Sequence, residues 1–454
     1  MQWHCAISNN LKLLDALMKV KLLVAVIMLL IIQSGYSQGI DHAKLNSYFQ
    51  ALEASNKFMG SVAVSQDGKL LYTKAIGFTV VEDKLKPNEH TKYRIGSISK
   101  TFTAALVFKA IEENKTDLSQ TIDKYFPAVK NSEKITVAQL LNHHSGIHNF
   151  TDEADYSKWH TQKRSDEEMI KLISTMGSDF EPGSKGAYSN SNYVLLTYLL
   201  QKVYNKPYQQ ILQEKILKPL SLTDTHYGGK IDVANGGSYS YQFKSEWVRE
   251  AETNLSIPAG AGAIVSTPGD LTIFANALFT GKIVSLESLT QMKAAKDGIG
   301  MGLFEVPFLE KKGFGHNGGI DGFSSSLNYF PDDKVAIALT SNGSAYDNNN
   351  ISIVLLSSVL NKPYGIPTFF SVTTTDLDQY LGIYAADGFP LKITITKSEN
   401  TLMAQATGQP AFKVDATAKD VFNFDLIGIA LHFNPANKQM TLKQGGQEFL
   451  LTKE

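Results

Sequence analysis

Alternation of apolar and polar side chains is clearest in GSVAVSQDGKLLYTKAIG, residues 60–77, where it breaks at Asp67-Gly68 and then resumes. Period-two alternation fits a strand with one face in a core, and Asp-Gly tolerates a tight hairpin turn, so two antiparallel strands are predicted here. From Ser97 the period changes. Phe102, Leu106 and Ala110 recur four apart with Ala105 and Phe108 beside them, and the run ends in the polar EENKTD. That spacing predicts a helix with Ser97 at its mouth. Residues from about 120 to 290 mix helical stretches (ITVAQLLNHH, NYVLLTYLLQKVY, DLTIFANALFTG) with turns at Pro182-Gly183 and Pro268-Gly269, and read as mainly helical. Then GFSSSLNYFPDDKVAIALTSN predicts two strands about a Pro331-Asp332-Asp333 turn, and NNISIVLLSSVLNK predicts a helix that stops before Pro363. Strands at both ends of a helical middle predict one sheet assembled from distant segments, an α+β pattern rather than alternating parallel units.

A break follows at YGIPTFFSVTTTD, where Gly365, Pro367 and a threonine run set off a tail of different texture. From about residue 376 short strand patterns recur between turns (LKITIT, LMAQA, VFNFD, ALHF, QMTLKQ), which predicts a small C-terminal all-β domain, a sandwich or a barrel. At the other end Lys19 and Lys21 precede the apolar run LLVAVIMLLII, and QSGYSQ follows with small residues at Gly35 and Ser37. That is the layout of a secretory signal, and the run is shorter than the roughly 20 apolar residues that a spanning helix needs. Met18 opens a complete signal by itself. The expected organisation is a signal peptide over residues 1–37, a main domain over 38–365 and the β-rich domain over 366–454. The chain is expected to be exported, periplasmic or secreted, without a stable membrane span.

At 454 residues with 43% hydrophobic content the chain can bury a large core. Lys+Arg 43 against Asp+Glu 44 leave a formal net charge of -1, so no overall field attracts nucleic acid or an anionic membrane surface, and nucleic-acid binding is not expected. The one cysteine, Cys5, lies in the expected signal. The mature chain is therefore expected to hold no disulfide, thiol nucleophile or cysteine metal site. No cofactor is implied.

Chemistry-bearing residues fall in three stretches. Ser97 is the only serine with a lysine, Lys100, three residues later; on a helix these share a face, so the amine can reach the hydroxyl while first-turn N–H groups face a reacting carbonyl. FEPGSKGAYSNSNYVLL places Tyr188-Ser189-Asn190 in a turn before a helix, where a phenol whose pKa is lowered by a nearby ammonium can shuttle protons and an amide can orient lysine and substrate. GFGHNGGIDGF places His316-Asn317-Gly318-Gly319 immediately before a predicted strand. Glycines there let a substrate backbone lie close, and a main-chain N–H can complete an oxyanion hole. Each stretch alone has an ordinary structural explanation; their combination is what points to catalysis.

Ser97-Ile98-Ser99-Lys100, Tyr188-Ser189-Asn190 and His316-Asn317-Gly318, with LLNHHSGI (140–147) and AGAGAIVSTPGDL (259–271) in support, make the chain resemble the serine beta-lactamase and penicillin-binding-protein-like superfamily. The resemblance covers about residues 40–360 and is strongest to the class C and D-Ala-D-Ala carboxypeptidase branch. It implies an antiparallel sheet flanked by helices plus a mainly helical lobe, with the active site between them. It further implies that Ser97 is acylated, that Lys100 and Tyr188 jointly move the proton, and that Asn190, His316, Asn317 and Gly318 contact substrate. The N–H groups of Ser97 and Gly319 would form the oxyanion hole. Which of Lys100 and Tyr188 is the acylation base stays open. Beta-lactamases usually carry lysine where this chain has His316, and a histidine of ordinary pKa, about 6.5, attracts a carboxylate less strongly. Weak or no activity on penicillins and cephalosporins is therefore expected, with esters, amides or D-amino-acid peptides, peptidoglycan-derived ones among them, as substrates. The competing reading is a penicillin-binding or peptidoglycan-sensing protein that does not turn over.

Other signals carry less. GYSQG (35–39) matches a G-x-S-x-G elbow but straddles the expected cleavage site and lacks a strand-to-helix context. His143, His144 and His148 have partial metal-ligand spacing, yet Ser145-Gly146 interrupts any helix between them, so no metal site is expected. Trp159 lies in a polar insertion where enzymes of the resembling family often build a substrate rim, but it reads more simply as a half-buried residue of an ordinary surface loop.

Overall fold

A computed structural model of the chain describes residues 40–244, 246–370, 372–398, 401–424 and 428–454. The expected signal segment, Cys5 and GYSQG lie outside them. Among the described residues no helix is long and apolar enough to cross a membrane.

Helix α1 (His42–Ala54) leads into β1 (Phe58–Gln66) and β2 (Lys69–Ile76). The turn between them is Asp67-Gly68, with φ of 54° and 75°, the left-handed pair that a two-residue hairpin of matching twist requires. Short strands β3 (Tyr93–Arg94), β4 (His226–Tyr227) and β7 (Ile264–Ser266) form a ribbon in the order β3-β7-β4, and β5 (Tyr241–Phe243) pairs with β6 (Trp247–Arg249). Strands β4 to β7 fall in the stretch expected to be mainly helical. After them come β8 (Phe304–Phe308), β9 (Lys311–Ile320), β10 (Phe323–Phe330) and β11 (Val335–Ser344). The main sheet runs β2-β1-β11-β10-β9-β8, so an N-terminal hairpin joins four C-terminal strands through the β1–β11 pairing, from Phe58↔Ser344 to Gln66↔Val335. The fold is α+β with an antiparallel sheet, as the chain's two strand-rich ends suggest.

Strand β1 is buried along nearly its whole length, which requires cover on both faces of the sheet. Helix α2 (Ser99–Glu112) runs through the core and is buried at every position from Ser99 to Phe108. Its polar side chains have partners there: Thr101 Oγ1 donates to Gly302 O at 2.8 Å, Thr103 Oγ1 to Gly260 O at 2.7 Å, and Ser99 Oγ accepts from Ile264 N at 3.0 Å. Unpaired, each would cost about 1–3 kcal/mol. Helices α3 (Asn190–Tyr204) and α4 (Pro268–Phe279) pack into the same core. Helix α4 starts where Thr267 caps Asp270 N–H and Pro268 occupies the first turn.

Residues Ser325 and Ser326 of β10 point to opposite faces of the sheet. Ser325 Oγ donates to Ile95 O at 2.8 Å, beside Ser97, whereas Ser326 Oγ lies 3.1 Å from Ser352 Oγ of helix α5 (Asn348–Val359). The site and α5 are thus on opposite faces. The C-terminal strands, β12 (Gly382–Ala385) to β19 (Gln447–Lys453), close into a barrel. Its interior is filled by Tyr384, Ile395, Leu402, Phe422, Leu431 and Leu451. It sits against the α5 side: Lys57 Nζ meets Asp415 at 2.8 Å, Lys413 Nζ donates to Ala345 O at 2.7 Å, and Tyr48, Ile353, Phe369 and Asn423 line a cavity of about 430 Å3 between the two. Deleting residues 372–454 is therefore expected to lower the melting temperature while leaving the ratio of kcat/KM values for two different esters unchanged. A changed ratio in the folded truncation would show that the barrel reaches the cleft.

Candidate active site

Ile95 ends the β3 segment, its N–H donating to Ile264 O at 3.0 Å. Gly96 then takes φ +49°, and a Cβ on it would stand 2.7 Å from Gly319 N. Only glycine satisfies both the left-handed backbone and this close approach. The turn Gly96–Ile98 leads directly into α2, which leaves Ser97 half-buried and turns Lys100, one turn on, fully inward. Lys100 Nζ lies 2.9 Å from Ser97 Oγ, 2.7 Å from Asn190 Oδ1 and 2.8 Å from Ala261 O. Burial pushes its pKa well below the ordinary lysine value.

Asn190 opens α3, and its amide is oriented from the other side: Nδ2 donates to Thr151 Oγ1 at 3.0 Å and to Asn149 Oδ1 at 3.3 Å. Its carbonyl oxygen therefore faces the lysine. The Tyr188 phenol lies beside Ser97, which works against the effect of burial on its pKa, and its ring stacks on His143 with centroids 4.4 Å apart. Lys100 Nζ stands 4.9 Å from the centre of the Tyr188 ring. The expectation that an ammonium lowers the phenol's pKa is corrected: burial raises it, and burial also disfavours the charged form of the amine that was to lower it.

His316-Asn317-Gly318-Gly319 precedes the predicted strand, β10, and itself lies inside a further strand, β9; the glycines obscure the alternation by which a strand is recognised. Gly318 pairs with Ser325, and a Cβ there would fall 2.0 Å from Ile95 O. Its missing side chain makes room for the turn that carries Ser97. His316 is 6% exposed. Its Nδ1 is 2.5 Å from Asn317 O, which can only accept, so Nδ1 holds the proton. Burial, with Lys100 nearby, pushes the imidazole down to about 3. The ordinary pKa expected for it does not hold, and the ring is neutral at pH 7.

The cleft at Ser97, about 350 Å3, is lined by Tyr156, His160, Asn190, Thr253, Gly319 and Asp321 among others. His316, Asn317 and Gly318 are not among the residues that line it; Asn317 is exposed on β9. A larger cavity, about 720 Å3, is lined by Lys92, Lys218, His226 and Lys230, with Arg94 in its wall, and contains none of these candidates. Trp159 is 8% exposed and packs on Phe150 and Tyr156. The segment read as a surface loop is instead a cleft wall held by a buried tryptophan.

The three histidines of the middle region face different partners. His144 Nε2 meets Asp297 at 3.0 Å, and His148 Nδ1 meets Asp179 at 2.9 Å, which raises the His148 pKa. His143 Nδ1 accepts from Ser189 N–H at 3.1 Å. Sequence reasoning missed two contributors. The Ala261 carbonyl has no side-chain signature, and the stacking of His143 on Tyr188 joins residues 45 positions apart in the chain.

Residues 45–356, more than half of the chain, match the beta-lactamase family. Over 333 residues the chain is 28% identical to the teichoic acid D-alanine hydrolase of Staphylococcus aureus, covering 71% of this chain and 79% of that one. A D-stereospecific amidohydrolase from Streptomyces sp. superposes with a TM-score of 0.61 at 28% identity, covering 71% of this chain and all (100%) of that one. The octameric penicillin-binding protein homologue from Pyrococcus abyssi shares the fold over 91% of this chain and 100% of its own, with a TM-score of 0.67 at 23% identity. With its match to the family running through the Ser97, Tyr188 and His316 stretches alike, the chain belongs to the beta-lactamase family and is a hydrolase of that family.

Proposed function

We propose that Ser97 forms an acyl-enzyme with a D-aminoacyl ester or amide, D-alanyl esters foremost, and that water then releases the acid. The observation that carries this reading is the surrounding of Lys100 Nζ. Asn190 Oδ1 and Ala261 O can only accept, so they take the two N–H bonds of the neutral amine. Its lone pair is left for the Ser97 hydroxyl 2.9 Å away. As Ser97 Oγ bonds to the carbonyl carbon, its proton passes to Lys100 Nζ. The negative carbonyl oxygen is held by Ser97 and Gly319 N–H, both at the cleft. Collapse of this intermediate breaks the bond to the leaving alcohol or amine, which takes up a proton through the Tyr188 hydroxyl. A water molecule repeats the sequence on the acyl-enzyme and regenerates Ser97.

Substrate class follows from charge and from the relatives. Among the described residues lining the cleft there is no lysine or arginine; behind it burial disfavours the charged form of Lys100 and leaves His316 neutral at pH 7. A penicillin or a peptide ending in a free carboxylate finds no cation here, whereas an ester or amide needs none. The names of the Staphylococcus and Streptomyces relatives supply the D-configuration. The signal read in residues 18–38 supports action outside the cytoplasm.

A fluorophosphonate reacts by losing fluoride to an activated serine oxygen. Intact mass after treatment is expected to show one adduct on the wild type and none on Ser97→Ala. Turnover of a D-alanyl ester is then expected to exceed that of its L-alanyl counterpart and of a cephalosporin. A cephalosporin hydrolysed faster than the D-alanyl ester would overturn the substrate class.

A further inference from the structure

We infer that the buried Arg94–Asp321 ion pair is a positioning device that sets the width of the oxyanion hole; this rests on the acyl-enzyme reading above. Arg94 stands three residues before Ser97, and Asp321 two residues after Gly319. The pair thus joins the two chain segments whose N–H groups face the same oxygen. Arg94 Nη1 donates to Asp321 Oδ2 at 2.9 Å, with 3% and 2% of the side chains exposed. Asp321 Oδ1 accepts from Thr253 N at 3.0 Å and Thr253 Oγ1 at 2.6 Å. The other arm of the guanidinium, Nη2, donates to Gly229 O at 3.0 Å and Glu252 Oε2 at 3.1 Å, and Nη1 also reaches Thr253 O at 2.8 Å.

Backbone geometry explains why a clamp is needed. Asp321 occupies the turn between β9 and β10 with φ +53°, at the free end of the strand that carries Gly319. Contact between Ile95-Gly96 and Gly318-Gly319 is made through glycines, so the seam itself has no interlocking side chains and is tied from the neighbouring strand by the Ser325 Oγ–Ile95 O hydrogen bond. The planar guanidinium meets Asp321 through Nη1 and sends Nη2 to Gly229 O and Glu252, so it fixes the angle of the contact as well as its distance, which a point charge does not. Neither charge is needed to neutralise substrate, since both side chains are buried. A buried ion pair is also a poor source of net stability, so its effect is expected in geometry.

Three variants test this. Asp321→Asn keeps the size and removes the charge, and Arg94→Lys keeps the charge and removes the fork. Arg94→Met/Asp321→Leu removes both charges and leaves neither stranded, so it serves if the single variants do not fold. In protein shown folded by circular dichroism, each is expected to slow fluorophosphonate labelling of Ser97 and to lower kcat for a D-alanyl ester, with KM little changed. The double variant should lose about 100-fold in kcat, the scale of one displaced oxyanion donor, and Arg94→Lys less than that. If the variants melt earlier but label and turn over at the wild-type rate, the pair is only structural and the inference fails. If the wild type itself is not labelled at Ser97, it is the acyl-enzyme reading that fails.

Discussion

Lys100→Met is expected to lower kcat/KM for a D-alanyl ester by about 1000-fold, in the range that a lost general base costs, and to slow fluorophosphonate labelling of Ser97 in parallel. Methionine is unbranched and close in length to lysine, so it can occupy the slot. Asn190 Oδ1 and Ala261 O lose their donor, at about 1–3 kcal/mol for each buried acceptor left unpaired, and the variant should melt earlier yet fold. The pH dependence separates a base from a fixed cation. The folded pKa of Lys100 is depressed, so the amine able to accept a proton accumulates as pH rises through that value, and activity should rise to a plateau. In Lys100→Met this limb should vanish from the labelling rate. A wild-type rate that fell with rising pH over the same window would mean that the ammonium is the active form. Stability follows the same sign: between the depressed folded pKa and the ordinary value of 10.5 the unfolded chain binds the extra proton, so this residue favours the fold increasingly as pH rises.

His316 extends the point. Two side chains that elsewhere carry positive charge stand behind Tyr188, and burial pushes the pKa of both down, that of His316 to about 3, so that its ring is neutral at pH 7. Lys100 is itself a further cause of the lowered His316 pKa. A site of this kind activates serine without gathering anions. That suits a substrate whose carboxyl is already esterified or amidated.

What could be read from the sequence is what local chemistry decides. Asp67-Gly68 announces its hairpin because the turn's φ angles select those residues, and Ser97 with Lys100 share a helix face through spacing alone. The barrel was foreshadowed by short strand patterns, but its closure through Tyr384↔Lys453 joins residues at opposite ends of the tail. The failures share a cause. The strand through His316 was hidden because Gly313, Gly315, Gly318 and Gly319 erase alternation, Gly315 and Gly318 at positions where another backbone comes close and Gly313 where the Phe330 ring does. The directions of the Tyr188 and Lys100 pKa shifts and the burial of Trp159 depend on how much of the rest of the molecule surrounds them. The Arg94–Asp321 pair spans 227 residues, and neither partner carries a local signal.

Gly318→Ala is expected to cost about 100-fold in kcat together with about 1–3 kcal/mol of stability, the usual range for overpacking a filled site. Gly318 needs no left-handed backbone, so the effect is steric. The added methyl would stand 2.0 Å from Ile95 O and 2.4 Å from Ser325 Oγ, and these two atoms are already hydrogen-bonded to each other at 2.8 Å. Neither can yield without moving something on which catalysis depends. If β9 retreats, Gly319 N–H goes with it; if the Ile95 carbonyl swings aside, Gly96 and Ser97 follow. Both movements widen the gap between the two N–H groups that hold the oxyanion. One residue further on, the nearest atom to a Cβ on Gly319 is Phe323 O at 4.0 Å, and Gly319→Ala keeps its N–H, so it should cost far less. Steady-state kinetics and thermal melts of the two variants, side by side, check this. Equal losses from both would mean that the glycines serve close approach of the substrate, as the bare sequence suggests, and not the packing of the strand against the nucleophile's turn.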